Sequence, residues 1–164
     1  MNEKTIKTYQ NKYLQMASHI HQKYGITTIV SSNPFNGENP LDIDIGVINE
    51  LANNQVSEIY YMGHSNGAVI GACWGGQYPL IKRMLLINPP IMMNWHKTKQ
   101  GLKSFQGERA TFIFGEHDPS AKYAGLIELL KQGNLHLVMF PNADHNFKGL
   151  LPEFMELPET YLLR

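Results

Sequence analysis

Helical and extended patterns alternate along the whole chain, and no other feature of the sequence restricts the fold as tightly. Residues 5–24 place Ile6, Tyr9, Tyr13, Met16, Ala17, Ile20 and Tyr24 at three- and four-residue intervals, the period of an amphipathic helix, and Gly25 supplies its stop. The β-branched run 26–30 then reads as a short strand, and the loop 31–40 that follows is dense in turn residues. A second helix is expected over about 42–54, with Ile43, Val47, Ile48 and Leu51 on one face, and 58–62 reads as the next strand. The same alternation predicts helices near 66–77, 95–105, 120–131 and 147–156, and strands at 82–87, 110–115 and 135–140.

Strands that alternate with helices in this way run parallel and are joined by helical crossovers. The expected architecture is therefore α/β: a three-layer sandwich of about five parallel strands with helices on both faces, formed by residues 1–164 as one domain. In such sheets, sites form beyond the carboxyl ends of the strands.

With 164 residues the chain can bury a core without disulfides or a structural metal, and its 43% hydrophobic and 17% charged content excludes the disordered and low-complexity classes. Lysine plus arginine equal aspartate plus glutamate at 14 each, so no charge excess points to nucleic acid or an anionic membrane as partner. Cys73 is the one cysteine and has no thiol to pair with, which suits a reducing compartment. The first residues lack the apolar segment of a signal peptide, and no run is long enough to span a bilayer. A cytoplasmic protein is expected.

Gly63-His64-Ser65-Asn66-Gly67 matches G-x-S-x-G in a telling context, with the strand Ile59-Tyr60-Tyr61-Met62 before it and the helical run 68–73 after it. Glycines at those two positions let the chain turn tightly and let helix and strand approach, which exposes the central serine above the sheet at a helix N-terminus. A serine hydroxyl needs a base to take its proton and a carboxylate to orient that base. Two later strand ends supply both residue types: Gly115-Glu116-His117-Asp118-Pro119, and Pro141-Asn142-Ala143-Asp144-His145-Asn146-Phe147. Serine, acid and histidine follow one another in the order expected of a nucleophile elbow.

These three segments, in this order, resemble the catalytic half of an α/β-hydrolase, and the likeness covers about residues 26–150. It implies Ser65 as nucleophile, Asp118 as the orienting acid and His145 as general base, acting on a small acyl substrate without metal or cofactor. Glu116 is a second candidate for the acid, and the position deeper in the loop, Asp118, matches the family better. Asp144, next to His145 in sequence, reads as loop-shaping or solvated, and His117 as an ordinary loop histidine. The backbone N–H of Asn66 is the implied oxyanion donor.

The chain departs from the family in lacking the strand that usually carries the other donor. Residues 26–30 resemble the strand after it, which leaves a slot in the sheet, and unpaired edge groups would make a persistent gap costly. In one solution strand 26–30 moves beside strand 58–62, which brings a backbone N–H near Ser32 or Asn33 to the oxyanion. In the other, a second copy pairs with the free edge and makes a homodimer.

His64 flanks the nucleophile and is a candidate substrate contact; Met92 and Trp95, with Met93, are candidates for an apolar acyl pocket. Phe35 is a further wall candidate, together with Phe147 and Leu150. His19 and His21 are two apart on a helix and face different ways, a poor metal pair. Cys73 reads as a small core residue. Only about twenty residues separate Asn88 from the strand at 110, too few for a cap domain, so an open site is expected. The expected function is a serine hydrolase of small ester-type substrates; the alternative is a non-catalytic interaction or dimerisation module on a shortened hydrolase fold.

Overall fold

The computed structural model describes residues 3–33 and 36–164, with side chains from residue 11 onward. It divides into two compact units, Met1–Ser32 and Asn33–Arg164. The first holds helix α1 (Glu3–Tyr24), closed by Gly25, whose φ of +68° suits glycine and whose N–H reaches the carbonyl of His21 at 2.8 Å.

Residues 26–30 do not form the expected strand. The carbonyl of Ile26 accepts from the Nδ1–H of His21 at 3.0 Å and lies 3.4 Å from the Thr28 hydroxyl. Local side-chain partners of this kind compete with a ladder. Ile26 and Val30 are exposed, so burial adds no drive toward pairing. A run of β-branched residues is a disposition toward strand, and tertiary context decides whether it is realised.

The second unit is built on a four-stranded parallel sheet in which sequence order is also spatial order: β1 (Ile59–His64), β2 (Ile81–Ile87), β3 (Arg109–Gly115) and β4 (Leu135–Phe140). The expectation of about five strands is thus corrected to four among the described residues, and β1 is an edge strand. Helices α3 (Asn66–Trp74), α4 (Trp95–Ser104) and the one-turn α5 (Gly125–Glu128) make the crossovers. They share one buried cluster with α2 (Leu41–Leu51), to which the sheet contributes Met84, Leu86, Ala110, Phe112 and Phe114. Alternate residues Leu85, Ile87 and Ile113 are also fully buried, as side chains on the opposite face of the pleat. That face meets the C-terminal segment, α6 (Leu151–Pro158) and the turn of wider helix at Glu159–Leu163. Arg83 and Arg109, neighbours on β2 and β3, donate to the carbonyls of Leu162 and Tyr161. The three-layer α/β arrangement is therefore present.

Several helices end earlier or start later than their apolar pattern suggests. Helix α2 stops at Leu51 because Asn53 and Asn54 take φ of 51° and 58°, which asparagine tolerates well. The segment expected as helix 120–131 splits into a tight turn at Ala121–Tyr123 and α5. Helix α6 begins only at Leu151, since Phe147 (φ 55°) and Gly149 (φ 80°) hold the preceding residues in a loop. Among the described residues no helix is long and apolar enough to cross a membrane.

Candidate active site

Parallel register aligns the carboxyl ends of the strands, because His64 pairs with Ile87, Ile87 with Ile113, and Gly115 with Phe140. The loops that follow, beginning at Ser65, Asn88, Glu116 and Pro141, consequently open onto one edge of the sheet.

Ser65 joins β1 to α3 with φ 55° and ψ −117°, a conformation that costs a non-glycine residue on the order of 1–3 kcal/mol. The surroundings impose it. Its N–H donates to the carbonyl of Ile87 at 2.9 Å, and its carbonyl accepts from Ala68 and Val69 at 3.0 and 3.2 Å. A Cβ on Gly63 would stand 2.4 Å from backbone atoms of Gly67, so only glycine permits the turn. Gly71 likewise leaves room for the Tyr61 ring, which a Cβ would meet at 2.4 Å. The Tyr61 hydroxyl donates to the carbonyl of Gly67 at 2.6 Å, and burial pushes its pKa well above the ordinary tyrosine value. Asn66 is the first residue of α3, where backbone N–H groups lack intrahelical acceptors.

This turn presents Ser65 Oγ 2.9 Å from Nε2 of His145. Nδ1 of His145 lies 2.5 Å from Oδ2 of Asp118. A carboxylate accepts, so Nδ1 carries the proton, Nε2 offers its lone pair, and the serine hydroxyl donates to it. The acid is buried, its side chain 1% exposed, whereas that of His145 is 38% exposed toward the open edge. The other oxygen of Asp118 accepts from the N–H of Ser120 at 2.7 Å and from the Ser120 hydroxyl. Glu116, the competing acid, instead accepts from the N–H of Asn142 at 3.0 Å. It ties the loop after β3 to the loop after β4.

Asp144 shapes its loop: Oδ1 accepts from the N–H groups of Lys148 (2.9 Å) and Asn146 (3.0 Å). These contacts, the Lys148 N–H foremost, hold its carboxyl below the ordinary carboxylate range. Gly115 lets this loop close onto β3, for a Cβ there would lie 2.5 Å from the Ala143 carbonyl oxygen.

The other expected site residues are placed as follows. His64 lies with Nε2 2.7 Å from the main-chain carbonyl of His145 and its ring edge-on to Phe154. Met92 is exposed and Trp95 half-buried at the start of α4, past the exit of β2. Phe147 is buried and packs on Phe140 and Phe154, a core role. Cys73 is buried, its thiol beside the Thr98 hydroxyl and its pKa raised by that burial. Phe35 lies outside the described residues. The side chain of Asn33 donates to Asp44 on α2 at 2.7 Å. Because residues 26–30 stay out of the sheet, the strand pairing expected to bring a backbone N–H of Asn33 to the oxyanion is absent.

Two residues of this edge escape sequence reasoning. Ser120 supports the acid, and its signal is Asp-Pro-Ser, in which an aspartate side chain caps the N–H two residues on. Asn88, fully buried with φ 46°, spans three strand ends through its amide. An asparagine placed directly after a buried strand is the only hint of it.

No protein-family model matches the chain, and no curated protein is similar to it in sequence. Solved structures are similar in fold. A candidate α/β-hydrolase of unknown function from Agrobacterium tumefaciens superposes with a TM-score of 0.74 at 23% identity, over 94% of this chain and 77% of that one. A serine hydrolase homologue from Coxiella burnetii gives 0.66 at 18%, over 90% and 74%. A serine hydrolase without a lid from Xanthomonas campestris gives 0.65 at 20%, over 92% and 72%. Together with the parallel sheet, these likenesses show that the chain has the α/β-hydrolase fold.

Proposed function

We propose that this chain is a serine hydrolase that cleaves a small ester-type acyl substrate, or a thioester or amide of similar size, through an acyl-enzyme. One observation carries the reading: Ser65, His145 and Asp118, from three strand ends, form a continuous hydrogen-bonded relay of 2.9 and 2.5 Å. Ser65 Oγ attacks the acyl carbon while His145 Nε2 takes the hydroxyl proton, and Asp118 keeps the ring in the correct tautomer. The N–H of Asn66 faces the developing oxyanion. His145 then returns the proton to the leaving group, and water repeats the sequence to release the acid. Exposed Met92, with Trp95 and His64, offers surface for the acyl chain. The short span between β2 and β3, with α4 packed on α3, supports an open site. The lid-free description of the Xanthomonas neighbour agrees with it.

Asn66 is the only oxyanion donor assigned, and losing one donor typically costs about 3 kcal/mol, or 10²–10³ in rate. Turnover is therefore expected to be slow. The test is hydrolysis of p-nitrophenyl acetate by the wild type, Ser65→Ala and His145→Ala. Both variants should lose at least about 10³-fold in kcat with unchanged melting curves. Wild-type turnover no faster than that of Ser65→Ala would reject the proposal.

A second reading, a dimerisation module, has one observation in its favour: among the described residues β1 has a sheet neighbour on one side only. Sedimentation of the wild type and of a Tyr60→Pro variant, which removes an edge N–H, separates it from a monomeric enzyme.

A further inference from the structure

His145 stands on an exposed loop between β4 and α6, yet the proposed chemistry needs its ring held at one place above Ser65. Its main-chain carbonyl is gripped from two sides. Nε2 of His64 lies 2.7 Å away and Nδ2 of Asn88 3.0 Å away, and the same Asn88 nitrogen is 3.2 Å from the carbonyl of Asp144. A carbonyl only accepts, so His64 carries its proton on Nε2 and Asn88 turns its amino group to the loop. The orientation of Asn88 is fixed independently, because its Oδ1 accepts from the N–H of Gly115 at 2.7 Å and its own N–H donates to Ile113 at 2.7 Å. The His64 ring is held in turn by neighbouring rings, with centroids 5.3 Å to His145 and 5.6 Å to Phe154.

We propose that His64 and Asn88 are positioning residues, a two-sided clamp on the His145 carbonyl that sets the base in register with the nucleophile. The inference rests on the hydrolase reading and deepens it. His64 directly precedes Ser65, so the clamp references the base to the same strand end that carries the nucleophile. Asn88 adds the ends of β2 and, through Gly115, β3. The base loop, which follows β4, is thereby located by the other three strand ends.

Three variants test the clamp. His64→Phe keeps a ring against Phe154 and removes the donor, while His64→Gln restores a donor of similar reach. Asn88→Asp keeps the size and the acceptor for Gly115 but turns an oxygen toward two carbonyls. Two readouts apply: the rate at which a fluorophosphonate probe labels Ser65, and amide hydrogen exchange in residues 142–148. In folded His64→Phe and Asn88→Asp, exchange in that loop should quicken about tenfold with the amides of β2 and β3 unchanged, and labelling should slow by about 10- to 100-fold. His64→Gln should recover much of both. Wild-type exchange in these variants, or faster exchange with undiminished labelling, would overturn the clamp. If the wild type itself resists labelling, the hydrolase reading fails, and loop exchange alone decides the clamp: faster supports it, unchanged rejects it. If Asn88→Asp does not fold, the His64 pair decides.

Discussion

Gly115→Ala isolates how closely the base loop must sit against β3. The added Cβ would stand 2.5 Å from the carbonyl oxygen of Ala143 and 2.9 Å from its carbon, whereas ordinary contact begins at 3.4 Å. Both atoms are backbone, so relief requires the loop to retreat by about 0.9 Å, two residues from His145. A misplacement near 1 Å costs about 10²-fold in rate, equivalent to about 2.7 kcal/mol of transition-state stabilisation. Overpacking at such a site also costs about 1–3 kcal/mol of stability. Gly133→Ala is the control, because a Cβ there meets nothing within 4 Å. Steady-state hydrolysis of p-nitrophenyl acetate and thermal melts of the two variants are the assays. The expected result is a loss of about two orders of magnitude in kcat and a lowered Tm for Gly115→Ala alone. Equal rates and equal Tm in the two variants would show that the loop does not need this close approach to β3.

Ser120→Ala removes one of the two donors to the outer oxygen of Asp118 and is expected to lower kcat about tenfold with KM little changed, measured by initial rates. Phe154→Ala empties a fully buried position between His64 and Phe147 and should cost about 3–5 kcal/mol in urea unfolding. The depressed pKa of Asp144 means that its carboxylate stabilises the fold above the ordinary carboxylate range, and that this contribution disappears as pH falls through the folded-state value. Asp144→Asn should thus be less stable than wild type at pH 6 in denaturant titrations, with the gap closing as pH falls through and below the ordinary carboxylate range.

Strand ends were the readable part of this molecule. The runs 58–62, 82–87, 110–115 and 135–140 are apolar and bounded by turn residues, and each became a strand within a residue or two of its expected limits. Motifs directly after such runs inherit their location, which is why Ser65, Asp118 and His145 meet as the sequence suggests. Residues 26–30 show the opposite case. Their β-branched composition suits a strand, but the Ile26 carbonyl is engaged by the nearby His21 and Thr28 side chains and Ile26 and Val30 stay exposed, neither of which shows in the residue pattern. With that strand goes the pairing expected to carry Asn33 toward the oxyanion. Asn88 was illegible for a further reason: its role is defined by the two carbonyls and the amide that surround it, none of which leaves a pattern in the sequence. The early stops of α2 and the late start of α6 turn on positive φ at Asn53, Asn54 and Phe147, and nothing in the apolar period of a helix registers that choice.

Whether Ser65 is an activated nucleophile can be read from mass spectrometry of the fluorophosphonate-treated protein. One adduct per chain is expected, located on the peptide that contains Ser65, absent from Ser65→Ala and strongly slowed in His145→Ala. A folded wild-type protein that gains no adduct, or gains it on another residue, would contradict it.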